Sequence, residues 1–401
     1  MSKTKGIMVA IFIIALLVVL SVGGAYLVTA ARQKKAIAEL QNAKDLLANE
    51  KTDVAFKLLK EHIVRYPKGP TTAEALFLLG KIQIEEKPDS PDAIALFERI
   101  LNDFPNSPYA GQAMYYKTLS KLNERPFKDE TITLFEQLAS SPERNKQVAS
   151  VAEFGLALNE LDSRNLSKAK TTMDALLERN IPDELRSRIE DALGELNIRM
   201  LFSQELYGDD QTHELKTGEY LYNLARKYHV TLELLMKANN VIDPKRMQTG
   251  QKLKIPKVSF SIVVDKYTNT LTLLNDGKFF KKYPVRTGAY ENQTPVGEYK
   301  IQNKKINPTW VNPRTLKMYK GGDPENELGN RWLSFKDDRL GIHGTIKPET
   351  IGYYSSYGCV GMYKADVEEL YDLIREGTPI KIVGQMNPKI VEKSRALGFR
   401  D

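Results

Sequence analysis

The 401-residue chain has a single cysteine, Cys359, only four histidines and only two tryptophans. One thiol cannot close an intramolecular disulfide or build a multi-thiolate metal site. It leaves three uses: a small buried hydrophobe, an intermolecular crosslink, or a nucleophile. The chain also lacks an Arg/Lys stripe with interleaved aromatics, which argues against nucleic acid as a partner. Its formal charge of +7 is modest for this length and suits an anionic surface such as a cell envelope. A charged fraction of 27% with 42% hydrophobic residues excludes disorder as the general state. The length calls for two or more domains.

One long charge-free run is present, at residues 7–27, preceded by Lys3 and Lys5 and followed by Arg32, Lys34 and Lys35. As a helix rising about 1.5 Å per residue, it is long enough to cross a hydrocarbon core of about 30 Å. The small residues Val28-Thr29-Ala30 also suit a cleaved signal, but such signals have shorter apolar cores, so an uncleaved anchor is favoured. No cysteine follows the run, which excludes a lipid-modified cysteine there. Residues 1–35 are therefore read as a cytoplasmic tip and transmembrane anchor.

Residues 36–203 read as helical and repetitive. Segments beginning at Ala55, Ala93, Thr131 and Ala169 recur at a constant spacing, and each carries a large apolar residue at its fifth position: Leu59, Phe97, Phe135 and Met173. Prolines follow at Pro67, Pro105, Pro142 and Pro182, and second helices carry Ala75, Ala113, Val151 and Ile189 in the same register. Stacked helical hairpins, none able to bury its apolar face alone, have this signature. The pattern resembles tetratricopeptide repeats. It implies either a protein partner on the repeats or a rigid stalk. His62 is read as a packed or rim residue of the first repeat.

Residues 212–257 are expected to form a miniature βααβ unit. The Lys216-Thr217-Gly218-Glu219 turn, the Leu224-Ala225 helix, the Asn239-Asn240 pair and the ending Gly250-Gln251-Lys252-Leu253-Lys254-Ile255-Pro256 resemble a LysM module. That resemblance implies binding of N-acetylglucosamine-containing glycans, peptidoglycan included, in a groove between two loops. Thr217, Gly218 and Glu219 would line one side, and Val241, Ile242 and Asp243 the other. His213 and His229 are read as surface residues of this unit.

From residue 258 the apolar period becomes two, with Asn275-Asp276-Gly277-Lys278 as a tight hairpin signal. Residues 258–384 read as a mainly β domain with one helix near 364–375, and 385–401 as a short helix or tail. Here Ile342-His343-Gly344-Thr345 precedes Ser356-Tyr357-Gly358-Cys359-Val360-Gly361-Met362. A thiol near its free pKa is mostly protonated at neutral pH and needs a base or a positive field to act as a nucleophile. His343 is the only histidine of this domain. Gly344 lets the backbone pass close by, so a main-chain carbonyl is expected to orient the imidazole. Gly358 permits a tight turn that aims successive backbone N–H groups at one point, as an oxyanion hole requires.

Further stretches sharpen the assignment: Tyr283-Pro284-Val285-Arg286-Thr287-Gly288, Thr294-Pro295-Val296-Gly297, Asn307-Pro308-Thr309-Trp310 and Asn330-Arg331-Trp332-Leu333. With the His343 and Cys359 segments they resemble the L,D-transpeptidase catalytic domain of YkuD type. The resemblance implies that Cys359 attacks the third residue of a peptidoglycan tetrapeptide stem and expels D-alanine. His343 would serve as base and acid, the backbone N–H groups of Tyr357, Gly358 and Cys359 would stabilise the oxyanion, and the thioester would pass to an amine of a neighbouring stem, with no cofactor or metal required. Ser356, Thr345, Arg331 and Trp332 would contact substrate or support the site. The family has histidine or lysine in place of Tyr357 and arginine in place of Gly361. Arg331, Lys347 or Arg339 is expected to supply the missing charge. An L,D-carboxypeptidase with the same thioester and a non-catalytic wall-binding scaffold stand as alternatives. A glycan-binding module and a wall enzyme imply that the bulk of the chain lies outside the cytoplasmic membrane.

Overall fold

The computed structural model of the chain describes residues 26–87, 90–140, 145–313 and 315–399. The expected membrane-crossing run at 7–27 lies outside these residues, except for its last two positions. Among the described residues no helix is long and apolar enough to cross a membrane. The chain divides into two compact units, Met1–Asp162 and Ser163–Asp401.

The first unit is helical: α1 (26–48), α2 (Thr52–Arg65), α3 (Thr72–Glu86), α4 (Pro91–Asp103), α5 (Ala110–Lys121), α6 (Asp129–Ala139) and α7 (Lys146–Asp162). Its core is made by the repeated positions. Leu59, Phe97 and Phe135, and with them Ala75, Ala113 and Val151, have no exposed surface. Helix α4 shows how a repeat starts and packs. Pro91 needs no N–H at the first helical position, and the Ser90 hydroxyl accepts from the Ala93 amide at 3.4 Å. The Phe97 ring then lies against Gly80 of α3, where a Cβ would fall 2.7 Å from it. Full burial of such a ring contributes about 2–3 kcal/mol.

The second unit opens with a fourth hairpin, α8 (Leu166–Leu177) and α9 (Asp183–Phe202), in which Met173 and Ile189 are fully buried. Strands β1 (Gln211–Glu214) and β2 (Lys252–Ile255) pair antiparallel around α10 (Leu221–Lys227) and α11 (Leu232–Ala238). The buried Asn239 side chain ties the end of α11 to β2. Its Nδ2 donates to the carbonyls of Leu235 (2.9 Å) and Lys254 (2.8 Å), and its Oδ1 accepts from the Lys254 amide at 2.7 Å.

The remainder is β-rich. A five-stranded sheet in the order β5-β4-β3-β15-β7 is formed by β3 (Phe260–Asp265), β4 (Thr270–Asn275), β5 (Lys278–Pro284), β7 (Gly297–Lys300) and β15 (Pro379–Val383). A second sheet, in the order β14-β12-β11-β8, comprises β8 (Asn303–Ile306), β11 (Arg331–Lys336), β12 (Leu340–Gly344) and β14 (Val360–Met362). Two short pairs complete it: β6 (Thr287–Gly288) with β13 (Tyr354–Ser356), and β9 (Trp310–Val311) with β10 (Met318–Tyr319). Helix α12 (Lys364–Leu373) buries Val367 and Leu370 beneath the second sheet. The tail contains a helix, α13 (Pro388–Ala396), whose buried Ser394 hydroxyl accepts from the Tyr354 amide at 3.0 Å.

The fourth hairpin, the βααβ module and the sheets share one hydrophobic core, running from Leu201 through Leu235 to Leu370. Polar contacts reinforce it. Asn197 donates to the Phe280 carbonyl at 2.8 Å, Lys237 pairs with Asp372 at 2.6 Å, and Arg375 donates to the His229 carbonyl at 2.9 Å. The module is thus fixed against α12 rather than tethered by a loose linker.

Candidate active site

Strand pairing assembles the site. β12 runs antiparallel to β11, setting Trp332 opposite His343, and parallel to β14, setting His343 beside Gly361. Gly361 in turn bridges Arg286, whose amide donates to the Gly361 carbonyl at 2.9 Å and whose carbonyl accepts from the Gly361 amide at 3.0 Å. Trp332, His343, Gly361 and Arg286 therefore occupy one rung, and side chains on a rung share a face. The Trp332 and His343 rings stack at 6.0 Å between centroids. Cys359 sits one residue before β14 and lines a cleft of about 560 Å³ together with Arg286, Trp310, Trp332, Arg339, His343 and Tyr357.

The turn carrying Cys359 is held from behind. Gly358 has φ +123°, and a Cβ there would fall 2.3 Å from the Gln293 carbonyl oxygen. The buried Thr294 hydroxyl donates to the Gly358 carbonyl and accepts from the Gly288 amide, both at 2.8 Å. Ser356 works inside the turn, its hydroxyl donating to the Cys359 carbonyl at 2.6 Å and accepting from the Gly358 amide at 3.1 Å. The Gly358 N–H is therefore already engaged, whereas the sequence pattern places it among the oxyanion donors.

His343 is 3% exposed, and its Nδ1 hydrogen-bonds the Gly344 carbonyl. A carbonyl only accepts, so Nδ1 carries the proton and Nε2 is left with the lone pair. Burial, reinforced by the Arg286 charge, drives the His343 pKa down to about 3, against the opposing pull of the Gly344 and Glu327 carbonyls. Burial likewise pushes the Cys359 thiol up, with the Gly341 backbone and the Arg286 charge working against it. Both groups are neutral at rest. The thiol points to the Arg339 carbonyl at 3.8 Å.

Of the other residues named from sequence, Tyr357 and Arg339 line the cleft, whereas Thr345, Arg331 and Lys347 do not. Thr345 is buried and accepts from the Lys347 amide at 3.0 Å, outside the cleft lining. Arg331 lies one position off the rung and reaches over the Tyr371 ring at 5.2 Å. Lys347 pairs with Glu327 at 2.7 Å, and Arg339 with Asp337 at 3.0 Å. Tyr357 is 46% exposed at the cleft edge.

The charge beside the thiol comes from Arg286, a residue that sequence reasoning passed over. Its 4% exposed side chain lies across Gly361, where a Cβ would fall 2.5 Å from Nε. The available signal was an arginine and a side-chain-free position, each inside a family motif.

In the βααβ module, Thr217, Gly218 and Ile242 are exposed. Glu219 is spent on structure, accepting from the Lys216 amide at 3.0 Å and joining His213 at 2.7 Å, which holds its carboxyl below the usual range. Asp243 caps the short turn that follows, accepting from the Lys245 amide at 2.9 Å, and Val241 packs on the core. His213 is buried between Glu219 and Tyr228 rather than on the surface. His62 is buried against Thr71 at 2.8 Å.

Comparison with known proteins agrees with this organisation. The family model for the L,D-transpeptidase catalytic domain (YkuD) matches residues 259–382, the LysM domain model residues 213–256, and a tetratricopeptide repeat model residues 74–107. The L,D-transpeptidase YkuD of Bacillus licheniformis is 32% identical over 176 residues, covering 42% of this chain and 97% of the relative. The L,D-transpeptidase YqjB of Bacillus subtilis is 37% identical over 126 residues, covering 30% of this chain and 69% of the relative. A solved L,D-transpeptidase from Mycobacterium smegmatis aligns with 20% identity and a TM-score of 0.28, over 34% of this chain and 64% of that one. With a relative matched over nearly its whole length at this identity, the chain belongs to the YkuD-type L,D-transpeptidases.

Proposed function

We propose that the chain is a membrane-anchored L,D-transpeptidase that crosslinks peptidoglycan through a thioester on Cys359. The observation that carries this reading is the cleft lined by both Cys359, on a tight turn, and the neutral imidazole of His343. The thiol turns from the Arg339 carbonyl to Nε2 of His343, which takes its proton as sulfur attacks the carbonyl carbon of the third stem residue. The negative oxygen of the tetrahedral intermediate is met by backbone N–H groups of the turn, those of Tyr357, Gly358 and Cys359, with the Gly358 N–H released from Ser356. As the C–N bond breaks, the imidazolium returns its proton to the departing D-alanine amine. An acceptor amine then attacks the thioester, loses a proton to His343, and the sulfur leaves and is reprotonated. The Gly344 carbonyl keeps the imidazole in the required tautomer throughout, and Trp332 fixes its plane.

The LysM module supports action on the wall, with Thr217, Gly218 and Ile242 as its exposed glycan-facing residues. The apolar run at 7–27 supports anchoring, which puts the catalytic part on the extracytoplasmic side. The helical repeats are proposed to hold a protein partner or to act as a stalk.

The experiment is incubation of the full chain with tetrapeptide-stem muropeptides, followed by mass spectrometry. Crosslinked dimers with loss of D-alanine are expected. Tripeptide alone would establish the carboxypeptidase instead, and unchanged muropeptides the scaffold.

A further inference from the structure

A guanidinium that is buried without a counter-ion is costly, and proteins normally pair it. Arg286 departs from that rule. It is 4% exposed, its NH1 donates to the Thr350 hydroxyl at 3.3 Å, and its Nε is buried with no partner. Among the described residues no carboxylate stands within ion-pair distance of it. Glu327 and Glu349 act on it only from farther off, and Glu327 is engaged by Lys347 at 2.7 Å. The side chain nevertheless lines the cleft with Cys359 and His343, and it reaches there because Gly361, between it and His343 on the rung, has no side chain. A buried guanidinium with no ion-pair partner among the described residues, lining a cleft beside both reacting groups, suits a negatively charged group.

We propose that the Arg286 guanidinium, laid across Gly361 beside Cys359, is the cleft's binding site for the terminal carboxylate of the donor peptide. This rests on the thioester reading given above. When a single amino acid is the leaving group, covalent geometry holds its carboxylate within roughly 4–5 Å of the attacked carbon. A carboxylate receptor must therefore flank the nucleophile, and Arg286 does. The subsite selects a free chain end over an amide or a longer stem, because a neutral group would leave the guanidinium buried and unpaired. A bound carboxylate also offsets the positive charge that helps to depress His343, so the base strengthens when a donor is seated.

The test uses the thiol as its own reporter, in the full chain and without turnover. Alkylation of Cys359 by iodoacetamide is followed by mass spectrometry in the presence of N-acetyl-D-alanine or of its primary amide. The carboxylate is expected to slow alkylation at concentrations where the amide does not, and Arg286→Gln to erase the difference while the melting temperature stays near that of the parent. Equal effects of the two compounds on the parent, including none from either, overturn the proposal, as does selective protection that survives in Arg286→Gln. If that variant fails to fold, the parent still decides. Iodoacetate should gain roughly tenfold over iodoacetamide relative to free cysteine, as a charge a few ångströms away would give, and no gain overturns the proposal. Carboxylate-selective protection without muropeptide turnover would refute the thioester reading and leave the subsite standing.

Discussion

Arg286 and Gly361 share a backbone bridge, and the side chain of the first fills the space that the second leaves open. The guanidinium beside the thiol thus comes from the segment leading into β6 and not from position 361. Introducing Gly361→Arg alone should collide with Arg286, because even a Cβ would lie 2.5 Å from its Nε. Overpacking of this kind costs about 1–3 kcal/mol. Thermal melts should show the loss, and the pair Arg286→Ser with Gly361→Arg should recover most of it. A double variant no more stable than the single one would refute the exchange.

Removing the thiol with Cys359→Ala should lower the muropeptide reaction by about 10⁴-fold or more, as loss of a nucleophile does. Sacculus binding should be unaffected. Residual turnover near the parent rate, measured by mass spectrometry, would mean that another group carries the acyl chain.

The pH dependence of stability should bear the mark of His343. Its folded pKa, about 3, lies below the ordinary 6.5, so the unfolded chain binds a proton that the folded chain refuses. The contribution is fully present above pH about 6.5 and is lost as pH falls from there toward about 3. Chemical denaturation at stepped pH should give a slope in that window amounting to a few kcal/mol in total. His343→Gln should flatten it, and an equal slope in both proteins would exclude His343 as its source.

At the turn, Gly358→Ala meets two obstacles, a φ of +123° and the Gln293 carbonyl oxygen 2.3 Å from the new Cβ. A loss of about 1–3 kcal/mol is expected. The rate of Cys359 alkylation should change with it, because the sulfur is aimed by this turn. A melt and an alkylation rate matching the parent would show that the turn relaxes freely.

Glycan binding is best probed by Ile242→Asp, since that side chain is 95% exposed. Deleting the module would strip Leu234 and Leu235 from the core shared with α12 and confound binding with unfolding. Pelleting with sacculi should weaken about tenfold, the effect of losing one good apolar contact, with Cys359 alkylation unchanged. Undiminished pelleting would move the glycan surface elsewhere.

Much of this organisation is legible in the linear pattern because it is written in local periods. The recurrence of Leu59, Phe97, Phe135 and Met173 announces helices that bury one stripe, and all four are fully buried. The ending of the βααβ module and the segments around His343 and Cys359 are short motifs, which is why the family could be read from them. The reading falls short wherever a contact joins distant segments. Arg331 and Lys347, close to the site in sequence, are engaged by Tyr371 and Glu327, while Arg339 lines the cleft and pairs with Asp337.

By itself, the sequence determined which residue types carry the chemistry: one thiol, one domain histidine, and a glycine before the thiol that permits a tight turn. Tertiary structure alone decided which charge stands beside them. Arg286 and Gly361 meet only because β14 lies between β12 and the segment leading into β6, and a rung of strand pairing has no signature in either segment. The same holds for the welding of the LysM module to α12, where burial of a shared core, not a motif, sets the contact. Local preferences are encoded by neighbours in the chain, whereas register across strands emerges from burying all the apolar faces at once.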